Sequence, residues 1–267
     1  MNRKTFIILS CVLIVIGIVL CTSAIAISGL DFSKLSTTKY QFKTKSIPAS
    51  DISSLRVDLV SNDIRIVFGE DEQFKISYYE EETENYQIHT VGNSLVIGKT
   101  EQYNWIKHIG INFIPKAFDI LVEIPQNFDG GIDVKLVNGS ITLKNLALGT
   151  INAKLTNGDI TCENVVVSSA KVENRNGDIE IIAATGQEIY CSTVNGDVEL
   201  TASRFDNFDL KTTNGDIEGT ISGLKSEYTI NTKTTFGDSN LHNNTAASGK
   251  TFTAKSVSGD IDIEFDR

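Results

Sequence analysis

Apolar and polar residues alternate along much of the chain beyond residue 50, and a glycine-containing tripeptide interrupts this alternation at regular intervals. Asn138-Gly139-Ser140 is followed by four copies of Asn-Gly-Asp, each 19 residues after the last, which begin at Asn157, Asn176, Asn195 and Asn214. Two variants follow at intervals of 22 residues, and a degenerate copy precedes the series: Phe236-Gly237-Asp238, Ser258-Gly259-Asp260 and Ser61-Asn62-Asp63. Apolar residues at every second position on both sides of the glycine predict a strand, a turn and a second strand in each repeat.

These strands have two possible arrangements. A two-residue Asn-Gly loop is able to close a β-hairpin. Identical apolar positions at a fixed spacing favour stacked coils instead, because each coil then covers the apolar face of the next. We therefore expect an all-β fold over 51–267, a parallel β-solenoid of stacked 19–22-residue coils, with a strand-rich insertion at 67–131.

The turn residues have separate expected roles. Glycine permits a positive φ without steric cost. The Asn side chains of successive turns are placed to form an amide ladder. We expect each Asp to accept backbone N–H groups of its own turn.

Residues 6–30 form an almost unbroken apolar run. As a helix it would be about 37 Å long, enough to cross a hydrocarbon core of about 30 Å with some tilt. Arg3 and Lys4 precede it, so we expect the N-terminus in the cytoplasm and the remainder outside. The sequence thus predicts a single-pass cell-membrane protein, with a transmembrane anchor at 1–30 and a stalk linker at 31–50. Cleavage of a signal peptide after Ala26 and lipidation at Cys21 are the alternatives.

Composition narrows the class of function. The chain carries 24 basic and 34 acidic residues, a net charge of −10, which argues against nucleic-acid binding and docking on anionic lipid. Four cysteines without a CxxC pattern indicate neither a disulfide framework nor a zinc site. His89, His108 and His242 share no spacing that would form a metal or acid–base site. We therefore expect no catalytic, cofactor-binding or metal-binding residues.

Two charged columns remain as candidates for chemistry. Stacking would align the carboxylates of Asp159, Asp178, Asp197 and Asp216 about 5 Å apart. They are expected to be turn residues screened by water, and calcium binding is the alternative. A lysine column, interrupted by Glu173 and Ser192, precedes the turns; its members are Lys135, Lys154, Lys211, Lys233 and Lys255. We expect a solvated face there, and a site for anionic wall polymer is the alternative.

Several segments together resemble a known family. They are Leu59-Val60-Ser61-Asn62-Asp63-Ile64, the strands over 74–82 and 118–125, and the run of Asn-Gly-Asp-Ile coils. Over roughly residues 50–265 they resemble the bacterial domain family labelled "putative adhesin", which includes the LiaG-like proteins of Gram-positive envelope-stress operons. The resemblance implies a parallel β-solenoid outside the cytoplasmic membrane, with no catalytic motif to transfer.

The expected function is that of a non-enzymatic, membrane-anchored extracytoplasmic solenoid, acting as an adhesin or an envelope-stress module. A calcium-stabilised structural solenoid and a carbohydrate-active β-helix enzyme are the alternatives. Expected partners are the membrane, a cell-wall polymer or an envelope protein. The C-terminal coil, which includes Ile261 and Ile263, is predicted to be a bare end that invites end-to-end self-association. An aromatic patch over 103–114 is expected to cap the other end or to form a contact site.

Overall fold

The computed structural model describes residues 3–29, 40–81, 86–99 and 120–266. After one α-helix, α1 (Arg3–Ser28), these residues form a 17-stranded sheet. The strands are β1 (Tyr40–Pro48), β2 (Ser54–Ser61), β3 (Ile64–Phe68), β4 (Gln73–Glu81), β5 (Tyr86–Val91), β6 (Ser94–Lys99), β7 (Ile120–Ile124), β8 (Gly131–Asn138), β9 (Ile141–Asn157), β10 (Ile160–Glu173), β11 (Ile179–Ile182), β12 (Thr185–Ser192), β13 (Val198–Lys211), β14 (Ile217–Ser222), β15 (Tyr228–Lys233), β16 (Lys250–Lys255) and β17 (Ile261–Asp266). The predicted mostly-β architecture behind an apolar N-terminal helix is confirmed.

Successive repeats pair in parallel, one repeat length apart. Ile141 pairs with Ile160, and Ile160 pairs with Ile179. The segments before each glycine turn form one wall, termed wall A, and the segments after it form a second, termed wall B. In wall A the order is β5, β6, β2, β8, β9, β10, β12, β13, β16, β15. In wall B it is β1, β4, β7, β3, β9, β10, β11, β13, β14, β17.

The core lies between the two walls and is built from side chains at alternate positions. One column of wall A is fully buried from repeat to repeat: Val134, Ala153, Val172, Cys191, Leu210 and Ala254. Cys162 and Cys191 are free and buried, as expected of small core residues. Burial raises the pKa of the Cys162 thiol to about 12, so the thiolate needed for reactivity is absent at neutral pH.

The order of the strands in space departs from the order in the chain at both ends. β16 lies between β13 and β15 in space, although it follows both in the chain. The two last repeats are therefore stacked in the reverse of their order in the chain. At the other end, β6 and β7 pair in parallel with β2 and β3 and add a coil in front of them. The predicted insertion at 67–131 therefore supplies part of the stack itself.

The stalk predicted over 31–50 is wrong for its second half. β1 pairs with β4 in antiparallel register from Tyr40–Glu81 to Pro48–Gln73. Lys43 forms an ion pair with Glu80 there, and Lys45 donates to the carbonyl of Ile88. Residues 40–48 are therefore the outermost strand of wall B. The Ser/Thr/Lys-rich composition of this segment did not indicate a strand.

Helix α1 is long and apolar enough to span a membrane over Lys4–Ile27, with a mean hydropathy of 2.9. A signal sequence has a similar length and apolar composition. None of the most apolar stretch of the helix is buried against the rest of the described chain. The β-structure therefore builds its core without the helix, and residues 40–267 are expected to fold independently of it.

Candidate functional site

The glycine turns form one continuous edge between the two walls. Along it, the Nδ2 atom of each Asn donates to the Oδ1 atom of the Asn in the preceding turn, at 2.8 Å for each of the four steps from Asn138 to Asn214. The predicted amide ladder is confirmed. A second step of the same kind joins Asn164 to Asn145 at 2.8 Å, on the opposite corner of the coil.

The Asp column of this edge is held by backbone contacts between repeats. Oδ1 of Asp159, Asp178 and Asp197 accepts the N–H of the next Asp in the series at 2.9, 2.8 and 2.7 Å. The expectation that each Asp serves its own turn is therefore wrong, because the N–H group it accepts belongs to the neighbouring repeat. In the described part of the chain, no group of three or more metal-ligating side chains is placed to hold an ion.

A second polar column lies just inside the turn edge, and the sequence analysis did not identify it. Thr193, Thr212 and Ser256 are buried, and each donates its hydroxyl to a glycine carbonyl of a neighbouring turn at 3.1, 2.9 and 3.1 Å. Leu136 and Leu155 occupy the same position in earlier repeats. The change from Leu to a small hydroxyl residue at a fixed repeat position was the signal available in the sequence.

Wall B carries a column of like charges on its outer surface. Glu180, Glu199, Glu218 and Asp262 are register partners in four neighbouring strands. Burial, followed by the charges of Glu180 and Glu218, raises the pKa of the Glu199 carboxyl above its ordinary value. Glu199, Glu218 and Asp262 line an open groove of about 320 Å³, in which Glu199 is partly exposed and the other two are exposed.

Wall A carries the predicted lysine column, but its members have different surroundings. Lys135 and Lys211 approach Asp133 and Asp209 at 3.7 and 2.8 Å. Glu173, which interrupts the column, pairs with Lys171 at 3.1 Å. Lys154 has Lys135 as its register partner on one side and Glu173 on the other.

At the far end of the same column, three lysines follow one another in neighbouring strands. Lys255 lies between Lys211 and Lys233, with which it is in register. A groove of about 350 Å³ contains all three, together with Thr213 and Thr235.

An aromatic residue lies beside this lysine group on wall A. The Nζ atoms of Lys211 and Lys171 are 4.7 and 5.7 Å from the centroid of the Tyr190 ring. A second groove, of about 610 Å³, joins Tyr190 and Asp209 to Lys255. Because Lys255 lines both grooves, the outer surface of wall A is continuous across its last four repeats.

The edge of wall A beyond β15 is not bare. The side chains of Asn244 and Asn243 accept the backbone N–H groups of Ile230 and Thr232 at 2.8 and 2.7 Å. The strand that ends the chain, β17, lies between β14 and the segment at Ser239 and Asn240. The predicted bare C-terminal coil is wrong, because an earlier segment of the chain covers it.

The remaining predicted features do not converge on a site. His89 lies on β5, whereas His242 lies beside β15, at opposite ends of wall A. His108 and the aromatic patch over 103–114 lie outside the described residues.

Comparison with known proteins places the chain in a family. No curated protein matches it. Three crystal structures resemble it at low identity: a "putative cell adhesion protein" from Clostridium sporogenes ATCC 15579 and "putative adhesins" from Bacteroides fragilis NCTC 9343 and Parabacteroides merdae ATCC 43184. They are 12%, 13% and 11% identical, with TM-scores of 0.36, 0.49 and 0.30; the alignments cover 85%, 84% and 85% of this chain and 100%, 97% and 97% of theirs. A family model described as Toastrack DUF4097 matches residues 52–267, and the chain therefore belongs to the Toastrack DUF4097 family.

Proposed function

We propose that this protein is a non-enzymatic adhesion module of the cell envelope, a parallel β-solenoid held outside the cytoplasmic membrane by helix α1. The observation that carries the proposal is the form of wall A. Its outward side chains repeat strand by strand along a long surface that carries two open grooves. Such a surface suits the binding of an extended polymer or another surface better than the enclosure of a small substrate.

The surroundings of the carboxylate groups support a non-enzymatic role. The Asp column is occupied by backbone N–H groups of neighbouring turns. The Glu199 column lines an open groove, in which Glu218 and Asp262 are exposed to water and Glu199 is only partly buried. A glycosidase instead places a carboxyl pair on either side of one bond, and a groove that excludes water strengthens its action.

The proposal is tested with residues 40–267 and isolated Gram-positive cell walls. We expect the protein to sediment with the walls in a saturable manner, while an unrelated acidic protein of similar size stays in solution. Reducing ends released from the walls are measured in the same tubes. Failure to sediment would overturn the adhesion proposal, and time-dependent release of sugars would favour the carbohydrate-active alternative.

A further inference from the structure

We propose that Lys211, Lys233 and Lys255, termed the lysine triad, form a binding site for a linear polyanion, a polymer whose negatively charged groups repeat at short intervals. This inference deepens the proposed function by naming the ligand class of wall A, and it rests on that function for its biological setting. The polymer would run across the strands, along the column of lysines.

The first argument is the placement of like charges. Neighbouring strands lie about 4.8 Å apart, and in-register side chains on one face are close neighbours. Lys255 is in register with Lys211 on one side and with Lys233 on the other. Like charges in adjacent strands repel one another, and the single carboxylate of Asp209, which pairs with Lys211, offsets only part of this repulsion. A bound polyanion would remove the remainder.

The second argument is that two of the three lysines, Lys233 and Lys255, have no acidic partner within the described part of wall A, whereas Lys211 pairs with Asp209 at 2.8 Å. No ion pair is formed by Lys233 or Lys255 among the described residues, and both are exposed. The outward residues two positions before them are Asn231 and Thr253, which are neutral, whereas Asp209 occupies that position before Lys211. The charges of Lys233 and Lys255 therefore remain uncompensated, whereas Lys211, like Lys135, has an acidic partner.

The third argument is the polar lining of the groove. Beside the triad it contains Thr213 and Thr235, both exposed, and Ser192. Hydroxyl groups donate hydrogen bonds to anionic oxygen atoms without adding charge. Lysine ammonium groups and hydroxyls together suit phosphate or carboxylate groups that retain part of their hydration.

The net charge of −10 does not prevent such binding. The acidic column of wall B points away from wall A, and two packed sheets are separated by about 10 Å before side chains are counted. The screening length at physiological ionic strength is about 8 Å. The field of the acidic column is therefore largely screened at the triad, whose own charges contact the ligand directly.

The position of the triad also fits a ligand away from the anchor. The triad occupies the last three strands of wall A, whereas β1, the strand that follows α1 in the chain, is the first strand of wall B. Ten strands at about 4.8 Å each separate these ends of the stack by roughly 40 Å.

The test uses residues 40–267 and inorganic polyphosphate carrying a fluorescent label, titrated by anisotropy. We expect saturable binding that weakens at least tenfold when Lys233→Glu and Lys255→Glu are combined. The matched control combines Lys135→Glu and Lys154→Glu, which changes the net charge equally in the same column and should alter the affinity less than twofold. The neutral variant K233Q/K255Q should weaken binding to an intermediate extent. Thermal melting checks that every variant is folded.

Three further arms define the ligand and the limits of the inference. Polygalacturonate tests carboxylate against phosphate as the anionic group, and binding of either polymer supports the site. Orthophosphate should compete poorly, since a single anion contacts only part of the triad. Absence of saturable binding to both polymers, or an equal loss in the control variant, would overturn the inference. Cell-wall sedimentation retained by K233E/K255E would show that adhesion stands while this site does not carry it.

Discussion

At the scale of single residues, two separate constraints require glycine in the turns. One is the backbone conformation of the turn, and the other is the close approach of the neighbouring repeat. Gly196 has φ +148°, which L side chains rarely adopt. A Cβ atom added there would lie 2.1 Å from the carbonyl oxygen of Gly177 in the adjacent turn. The stacking of the turns, as well as the turn conformation, therefore requires glycine.

We predict that Gly196→Val lowers the free energy of unfolding of residues 40–267 by about 3 kcal/mol or more, from backbone strain and overpacking together. Urea denaturation followed by circular dichroism measures the change. Gly98→Ala is the control, since its added Cβ would be 3.8 Å from the carbonyl oxygen of Asp58, an ordinary contact. Equal losses in both variants would contradict the stacking explanation.

A second prediction concerns the Asp column and calcium. Asp178 accepts the N–H of Asp197 at 2.8 Å, and an Asn side-chain carbonyl is able to accept the same bond. We expect Asp178→Asn to be nearly neutral and Asp178→Ala to cost about 1 kcal/mol. We propose that the fold needs no metal ion, so calcium should leave the melting temperature unchanged. A strong calcium-dependent rise that is lost in the Asn variant would refute this view.

Glu199 predicts a specific pH dependence. Burial and the neighbouring carboxylates raise the pKa of its carboxyl in the folded state above the ordinary value of 4.5, so the native state holds the proton more tightly than the unfolded state. This stabilisation is fully present below pH 4.5 and is lost as the pH rises through the raised value. Glu199→Gln should therefore raise the melting temperature at pH 7 and give no such gain at pH 4.

The control for Glu199 is Glu70→Gln, which removes the same charge from an exposed loop. It should leave the melting temperature nearly unchanged at both pH values. Added salt should reduce the gain from Glu199→Gln at pH 7, because part of the effect comes from repulsion between exposed carboxylates. A rise in melting temperature that is the same at pH 4 and pH 7 would argue that the carboxylate column around Glu199 is not its cause.

At the scale of elements, the end of the stack is protected by side chains instead of another strand. β15 is the outermost strand of wall A, and an exposed strand edge is a template for pairing with other chains. Asn243 and Asn244, in the segment between β15 and β16, accept two of the N–H groups on that edge. Their amide oxygens occupy the places that a further strand's carbonyls would take.

We predict that Asn243→Ala combined with Asn244→Ala costs about 1 kcal/mol for each lost hydrogen bond and exposes the edge of β15. Residues 40–267 should then form dimers or larger species as their concentration rises, while the unchanged protein stays monomeric. Analytical ultracentrifugation measures both. The control is His242→Ala, which alters the same segment at an exposed side chain. A double variant that remains monomeric at every concentration would contradict the capping role.

At the scale of the whole molecule, the apolar helix and the β-structure are built separately. Because no part of the apolar stretch of α1 is buried, the helix contributes nothing to the core between the walls. Its length and composition are instead those required by a hydrocarbon environment. This separation predicts that the β-structure still folds when the helix is removed, and that the helix determines membrane association.

We predict that the full chain stays in the membrane fraction through high-salt and alkaline washing, whereas residues 40–267 are soluble and keep a cooperative melting transition. External protease added to spheroplasts should reach the β-structure and leave the N-terminus protected, since Arg3 and Lys4 favour the cytoplasmic side. Release of a form that begins at Ile27 would show that the segment is a cleaved signal sequence.

The sequence by itself determined the strand–turn–strand repeat, the amide ladder and the composition of the core. Each of these depends on residue type and spacing within one repeat, and Asn176 or Val172 has the same role as its equivalent 19 residues away. The partner of each Asp carboxylate could not be predicted in this way. The N–H groups of its own turn are adjacent in sequence, whereas the N–H group that it accepts lies 19 residues away and is brought to it only by the packed geometry.

The tertiary structure alone decided the order of the strands at both ends and the role of residues 40–48. All strands of a repeat stack present similar edges, so local patterning does not specify whether β15 or β16 pairs with β13. In the observed order β15 is the end strand, and Asn243 and Asn244 accept N–H groups on its edge. This order also places Lys255 between Lys211 and Lys233, because the charge of a surface is set by which strands become neighbours.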